Sequence, residues 1–258
     1  MNPIPYADID TLFLDVGNTL ITMDFVWVRE KLAAQGVHCD VSTLHRAEAA
    51  ARPLVSEGLI RRSTETEDAF SFYLETVLRC MPNGSALGSS QIRRICRNLA
   101  PVLRPPGQAE RLWSCVIPGV PEALASLRTA GVKLAAVSNS DGTVEGILIR
   151  QNLRSYFTAV YDSRIVGFEK PDPRIFHWAL KDLDADPEHT LHVGDLYDID
   201  VKGARAAGLH SALIDPFNDW GNFACERVKD LSDLSRKILE TRNNNLLQNR
   251  QHLGLAQK

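Results

Sequence analysis

Five short apolar runs stand out along the chain, at residues 11–16, 133–138, 158–161, 190–194 and 211–214. Most lack the alternation of a half-exposed strand, so they predict strands covered on both faces in a parallel sheet. From residue 118 onward these runs alternate with segments of helical period, at 120–130 before Gly131, 144–152, 173–183, and 201–207 before Gly208. Glycine just past the last periodic residue is a helix stop. Strand and helix in strict alternation predict a doubly wound α/β core with a five-stranded parallel, Rossmann-like sheet.

Between the first and second runs lie roughly a hundred residues of almost purely helical pattern, more than a simple crossover requires. They predict a helical insertion over 21–115, free of β-sheet, in a core made of 1–20 and 116–240. Its helices are expected at 25–35, at 42–51 stopped by Arg52-Pro53, at 64–80, and at 90–100 stopped by Pro101. Thr64-Glu65-Thr66-Glu67 fits a capping box, in which hydroxyl and carboxylate satisfy free amides at a helix start. Residues 81–88 and 104–107 have the glycine and proline content of loops. The segment 241–258 is rich in Asn and Gln and is treated as a polar tail.

Composition narrows the function. The 258 residues are 44% hydrophobic and 24% charged, with a formal net charge of −3. That is an ordinary globular composition, and it disfavours an electrostatic nucleic-acid binder and favours a small-molecule partner. Five scattered cysteines, Cys39, Cys80, Cys96, Cys115 and Cys225, form no pair at metal-ligand spacing and predict reduced thiols in a cytoplasmic protein. The first residues lack the basic patch and apolar run of a signal peptide, and no segment has the roughly 18 uninterrupted apolar residues of a membrane span.

The candidate chemistry gathers at strand ends. The first run ends in Asp15-Val16-Gly17-Asn18-Thr19, and the fourth in Gly194-Asp195-Leu196-Tyr197-Asp198-Ile199-Asp200. In an open α/β sheet, ligands bind at the carboxyl ends of the strands. Two aspartates converging there repel unless a cation lies between them, and hard oxygen ligands suit magnesium, which keeps waters for a phosphate to displace. Asp198 is expected in a solvated loop. The second run ends in Ser138-Asn139-Ser140, a hydroxyl and loop amides able to hold an anionic oxygen. Lys170 precedes Pro171, with Asp172 as N-cap and Pro173 as first helical residue, so its ammonium is held in an extended segment. His192 is expected as a hydrogen-bonded core histidine, His177 and Trp178 as surface and packing residues, and Phe25, Trp27 and Val28 as a helix-packing stripe. Trp220 and Phe223 are expected to pack the carboxyl-terminal segment onto the core.

The order Asp15, Ser138, Lys170, Gly194-Asp195 and Asp200, with Pro118-Gly119-Val120 and Gly203-Ala204-Arg205-Ala206-Ala207-Gly208, resembles the four motifs of the haloacid dehalogenase superfamily. The resemblance covers the first strand and most of 117–215, and the insertion resembles that family's helical, C1-type cap. It implies a hydrolase in which Asp15 attacks phosphorus to form an aspartyl-phosphate. It also implies a magnesium ion held by Asp15, Asp195 and the Gly17 carbonyl, with Asp200 counted among the metal residues and acting mainly from behind. Thr19 would support the loop, and Ser138, Asn139 and Lys170 would bind the phosphoryl group of a small phosphorylated substrate.

The chain departs from that pattern at Gly17, where phosphatases of the family carry a second aspartate as general acid/base, a group typically worth about 10²–10⁴ in rate. Three readings remain open at this point. One is phosphate-ester hydrolysis restricted to leaving groups that need no protonation. Another is carbon–halogen cleavage, with Arg46 as a halide-binding cap residue; the competing placement of Arg46 is a solvated helix face shared with Glu48 and Arg52. The last is a binding protein without turnover. An aspartate at position 17 would be tolerated only if the glycine does not hold a positive φ.

Overall fold

The computed structural model describes residues 3–60, 66–82, 84, 87–105 and 107–255, with side chains to 248. The chain enters through β1 (Thr11–Leu14), whose four residues are all buried, and turns into a short strand, β2 (Ile21–Met23). Four helices follow: α1 (Phe25–Ala33), α2 (Val41–Leu59), α3 (Glu67–Cys80) and α4 (Ser89–Leu103). The chain returns through β3 (Trp113–Val116) to α5 (Val120–Thr129), β4 (Lys133–Ser138), α6 (Val144–Arg150), β5 (Ala159–Asp162) and the single turn α7 (Ser163–Val166). It continues through α8 (Pro173–Leu183), β6 (Thr190–Gly194), a wide helical turn over Tyr197–Val201, α9 (Lys202–Ala206), β7 (His210–Ile214), β8 (Glu226–Val228) and α10 (Leu231–Leu255).

The main sheet has the order β5-β4-β1-β6-β7-β8, with every pairing parallel. β1 is therefore central, flanked by the strands that end at Ser138 and Gly194. The sheet has six strands where five were expected. β8 is three residues long and carries Glu226 and Arg227, so by pattern it is indistinguishable from a polar loop; β7 recruits it through the Asp215 amide, which donates to Val228 O at 2.9 Å. One face of the sheet is covered by α5, α6 and α10 through Leu124, Leu127, Leu148 and Ile238, and the other by α8 and α9 through Ile175, Phe176, Ala179 and Ala204.

The insertion has its own core, including Leu32, Leu44, Val55, Leu78, Ile92 and Leu99. It departs from expectation in three places. β2 and β3 pair antiparallel where no sheet was expected, because the two connections to the core run side by side and each satisfies the other's backbone groups. α2 continues through Pro53 to Leu59. A mid-helix proline costs about 3 kcal/mol, and burial of Leu44, Ala47 and Ala51 before it and Val55 and Leu59 after it on one core offsets that cost. α4 likewise runs past Pro101. Thr66 caps α3 by accepting from the Ala69 amide at 3.1 Å; Thr64 and Glu65 of the expected capping box lie outside the described residues.

Much of the expected tail is α10. Arg242 ties it to the core by donating to Ala130 O at 2.7 Å and also to Ile9 O, while Leu246 and Leu247 are exposed. Among the described residues no helix is long and apolar enough to cross a membrane.

Candidate active site

β1 delivers Asp15 to the carboxyl edge of the sheet, its amide donating to Val193 O at 2.9 Å. One carboxylate oxygen, Oδ1, accepts from Ser138 Oγ at 3.1 Å and from Lys170 Nζ at 2.7 Å. Oδ2 accepts nothing from the described residues. Lys170 is 2% exposed, and its Nζ also donates to Asp200 Oδ1 at 2.7 Å. Asn139, expected to contact substrate, spends both ends of its side-chain amide elsewhere: Oδ1 accepts from the Lys170 amide at 2.7 Å and Nδ2 donates to the Lys170 carbonyl at 2.8 Å. It fixes the loop that aims Lys170.

Asp200 is not placed as a metal ligand. Its Oδ1 is taken by Lys170 and by His192 Nε2 at 3.0 Å, and its Oδ2 accepts from the Leu196 amide at 2.9 Å. It stands behind Lys170 as a counter-charge. Gly194 makes that possible: a Cβ there would lie 2.2 Å from Asp200 Cγ. His192 is fully buried and hydrogen-bonded as expected, and its other ring nitrogen, Nδ1, meets Phe13 O at 3.0 Å. Thr19 is buried, with no partner for its hydroxyl among the described residues, and it does not line the cavity.

The charges are tightly balanced. Burial works against the Lys170 ammonium, but Asp15 and Asp200 outweigh it and hold the lysine charged well above its ordinary range. Burial would also raise Asp200, yet Lys170 and His192 hold it well below the carboxylate range. Asp15 is pushed up by burial against the pull of Lys170, with the Asp200 charge adding to the rise. Asp195 is pushed up to about 8 by burial, against the pull of Arg52 and with the charges of Asp15 and Asp200 adding.

The insertion supplies residues that pattern reasoning assigned to solvent. Glu48 and Arg52, expected on a solvated face of α2, are 0% and 3% exposed. Arg52 pairs with Glu48 at 2.7 and 2.9 Å, and its Nε lies 3.5 Å from Asp195 Oδ2. Glu48 also accepts from Tyr73 OH at 2.8 Å and from Asn18 Nδ2 at 3.0 Å, and the same Asn18 nitrogen donates to Asp195 Oδ2 at 3.1 Å. Asn18 holds φ at 51°, a conformation asparagine tolerates better than most residues. Asp198, expected in solvent, is buried: Ser56 Oγ donates to it at 3.0 Å and Lys202 pairs with it at 2.6 Å. A signal was present in α2, where Glu48, Arg52 and Ser56 fall on the same helical stripe as Leu44, Ala51, Val55 and Leu59.

Core and insertion together line a half-open cavity of about 150 Å³. Asp15, Ser138, Lys170 and Asp195 line its core side, and Leu59, Phe70 and Tyr73 its insertion side. A family model for haloacid dehalogenase-like hydrolases matches residues 9–208, the span that carries Asp15, Ser138, Lys170 and the Gly194-Asp195 pair. The chain belongs to that family. Among curated relatives, haloacid dehalogenase-like hydrolase domain-containing protein 3 of Bos taurus is 46% identical over 99 residues, 38% of this chain and 39% of that protein. A glyceraldehyde 3-phosphate phosphatase of Methanopyrus kandleri is 34% identical over 132 residues, 47% of this chain and 57% of that one. The matches thus span about two fifths to just over half of these relatives. In fold, this haloacid dehalogenase-like hydrolase is similar to YfnB of Bacillus subtilis, solved bound to magnesium, with a TM-score of 0.58 at 19% identity over 89% of this chain and 98% of that one.

The geometry decides two points that the sequence left open. Gly17 does not hold a positive φ, and a Cβ there would sit 3.6 Å from the Trp113 ring, an ordinary contact. The position accepts a side chain. Arg46 does not reach the site: it forks onto Asp219 at 2.6 and 2.9 Å and lies over the Phe217 ring at 4.9 Å. The halide-binding role has no support from that placement. Phe25, Trp27 and Val28 stay outside the cavity, as a packing stripe should, whereas Trp220 is fully buried against Tyr197 and Phe223.

Proposed function

We propose that this hydrolase is a magnesium-dependent phosphatase of small phosphorylated molecules, working through an aspartyl-phosphate at Asp15. The observation that carries the reading is the asymmetry of Asp15, with Oδ1 clamped by Lys170 and Ser138 and Oδ2 left without a partner among the described residues in a residue that lines the cavity. Asp15 attacks phosphorus, and the leaving oxygen departs with the electron pair of its bond. Water then attacks the same phosphorus, releasing phosphate and restoring the carboxylate. Lys170 and the Ser138 hydroxyl hold the phosphoryl oxygens and keep Asp15 oriented. Residues 21–115 serve as a cap that closes over the substrate. The Methanopyrus relative named a glyceraldehyde 3-phosphate phosphatase supports the small phosphorylated substrate and not the steps of the scheme.

The donor set suits magnesium. Among the described residues no three His, Cys, Asp or Glu side chains cluster as a closed metal site. Magnesium needs only one or two carboxylates and retains waters. Asp195 is a buried carboxyl whose Oδ1 accepts nothing from the described residues, and it lines the cavity with Asp15 and Gly17. Asp15, Asp195 and the Gly17 carbonyl would hold the ion. When bound, magnesium supplies charge neutralisation for the phosphoryl oxygens and for the two aspartates.

Magnesium-dependent turnover of a panel of phosphorylated metabolites, lost in Asp15→Asn, tests the reading. Turnover that survives Asp15→Asn contradicts it. A second expectation follows from Asp195. Its carboxyl is raised to about 8 in the fold and ionises near 3.9 when unfolded, so metal-free stability from this group is present at low pH and is lost as pH rises from about 4 to about 8. The metal requires the ionised form. The rise in Tm on adding magnesium should therefore be larger at pH 8 than at pH 6, about 1.4 kcal/mol of stabilisation at tenfold excess over Kd. Asp195→Asn should remove it; a pH-independent rise in Tm would contradict the assignment.

A further inference from the structure

We infer that the phosphate esters this site turns over carry an aryl leaving group, a planar phenol that departs as phenolate. The inference deepens the phosphatase reading and rests on it. An alkoxide leaving group must be protonated as its bond to phosphorus breaks, and a donor must then stand within hydrogen-bond reach. Every titratable side chain lining the cavity is already committed. Lys170 is held between Asp15 and Asp200 at 2.7 Å each, and Asp200 gives both oxygens to Lys170, His192 and the Leu196 amide. Tyr73 donates its proton to Glu48 at 2.8 Å, and the Arg104 guanidinium does not release one. Asp15 is the nucleophile and Asp195 is spent on the metal. Gly17 offers nothing. The leaving group must therefore be stable as an anion.

The walls select among such groups. Trp113, Phe70, Leu59, Val144, Ile147 and Ile199 line the cavity, and the Trp113 ring flanks Gly17, two residues from the nucleophile. A departing carboxylate would bury a compact charge against these apolar side chains, whereas a phenol lays a ring against the indole and spreads the charge over itself. The step balances without a protein acid: the Asp15 oxygen bonds to phosphorus, the P–O(aryl) bond breaks with its electron pair on the phenolate oxygen, and solvent protonates the phenolate after release.

The test is kcat/KM with magnesium for a series of substituted phenyl phosphates, an alkyl phosphate and acetyl phosphate. We expect kcat/KM to fall by at least about 10²-fold between 4-nitrophenyl and alkyl phosphate, the scale of a missing general acid, and to fall steadily with phenol basicity between them. Trp113→Ala should lower the preference for phenyl over acetyl phosphate about tenfold, and Trp113→Phe should restore it. Alkyl phosphates turned over as well as aryl ones, or an acetyl phosphate preference that Trp113→Ala leaves unchanged, would overturn the aryl assignment while leaving the phosphatase reading intact. No turnover of any phosphate compound would overturn both.

Discussion

Lys170→Met lowers turnover of every phosphate substrate by about 10²–10³-fold, the scale expected when one charged donor is removed from a preorganised site. The methionine keeps the apolar stem and loses the ammonium that bonds Asp15 and Asp200 at 2.7 Å. Two buried carboxylates then share a region without their cation. Breaking a buried pair by removing one partner costs about 3–5 kcal/mol, because the remaining charge is left uncompensated. The variant relieves part of that cost by taking up a proton. Lys170 is the pull that opposes the burial-driven rise of Asp15, so without it the nucleophile stays protonated to higher pH and the acid limb of the rate profile moves upward. Urea unfolding and a pH–rate profile check both effects. Wild-type stability with an unmoved acid limb would show that Lys170 is not the counter-charge of Asp15.

Gly17→Asp raises the hydrolysis of alkyl phosphates by up to about 10²-fold, the lower end of what a general acid/base contributes. The position has room for the change: its φ is not positive, and the nearest atoms to a new Cβ belong to the Trp113 ring at 3.6 Å. The new carboxyl would stand on the cavity side of the loop that carries Asp15, where it can protonate a departing alkoxide and then draw a proton from the attacking water. An acyl phosphate needs neither service on departure and should gain less. Rates of both substrates in wild type and variant, with the fold checked by thermal unfolding, decide the matter. Equal rates on both substrates in both proteins would show that the absent aspartate does not limit this site.

The edge of the sheet that carries the candidate site was legible because a parallel strand buried on both faces leaves an uninterrupted apolar run, and the residue that breaks the run is the one at the carboxyl end of the strand. Asp15, Ser138 and Asp195 are all such residues, and the order β4-β1-β6 follows from bringing them together. What the insertion contributes was not legible in the same way. Glu48 and Arg52 stand four residues apart with opposite charge, the commonest pattern of an exposed helix face. Their burial depends on how α2 seats on Asn18 and Asp195, the latter well over a hundred residues away in sequence. Asp198 was lost to the same cause, since its partner Ser56 comes from α2. Arg46 was legible in the opposite sense: the solvated helix face offered for it is where it lies, paired with Asp219 outside the cavity. The prolines at 53 and 101 misled because a local cost was weighed without the core that offsets it.

The central claim is a covalent phosphoryl group on Asp15. Acid-quench mass spectrometry of the wild-type protein mixed with magnesium and an aryl phosphate measures it directly. Asp15 attacks without an acid, and no base at position 17 speeds the second step, so a phosphorylated form should build up within the first turnover. It should map to the peptide containing Asp15 and decay faster in Gly17→Asp. Turnover that proceeds with no phosphorylated peptide, or with the phosphoryl group on another residue, would contradict the account.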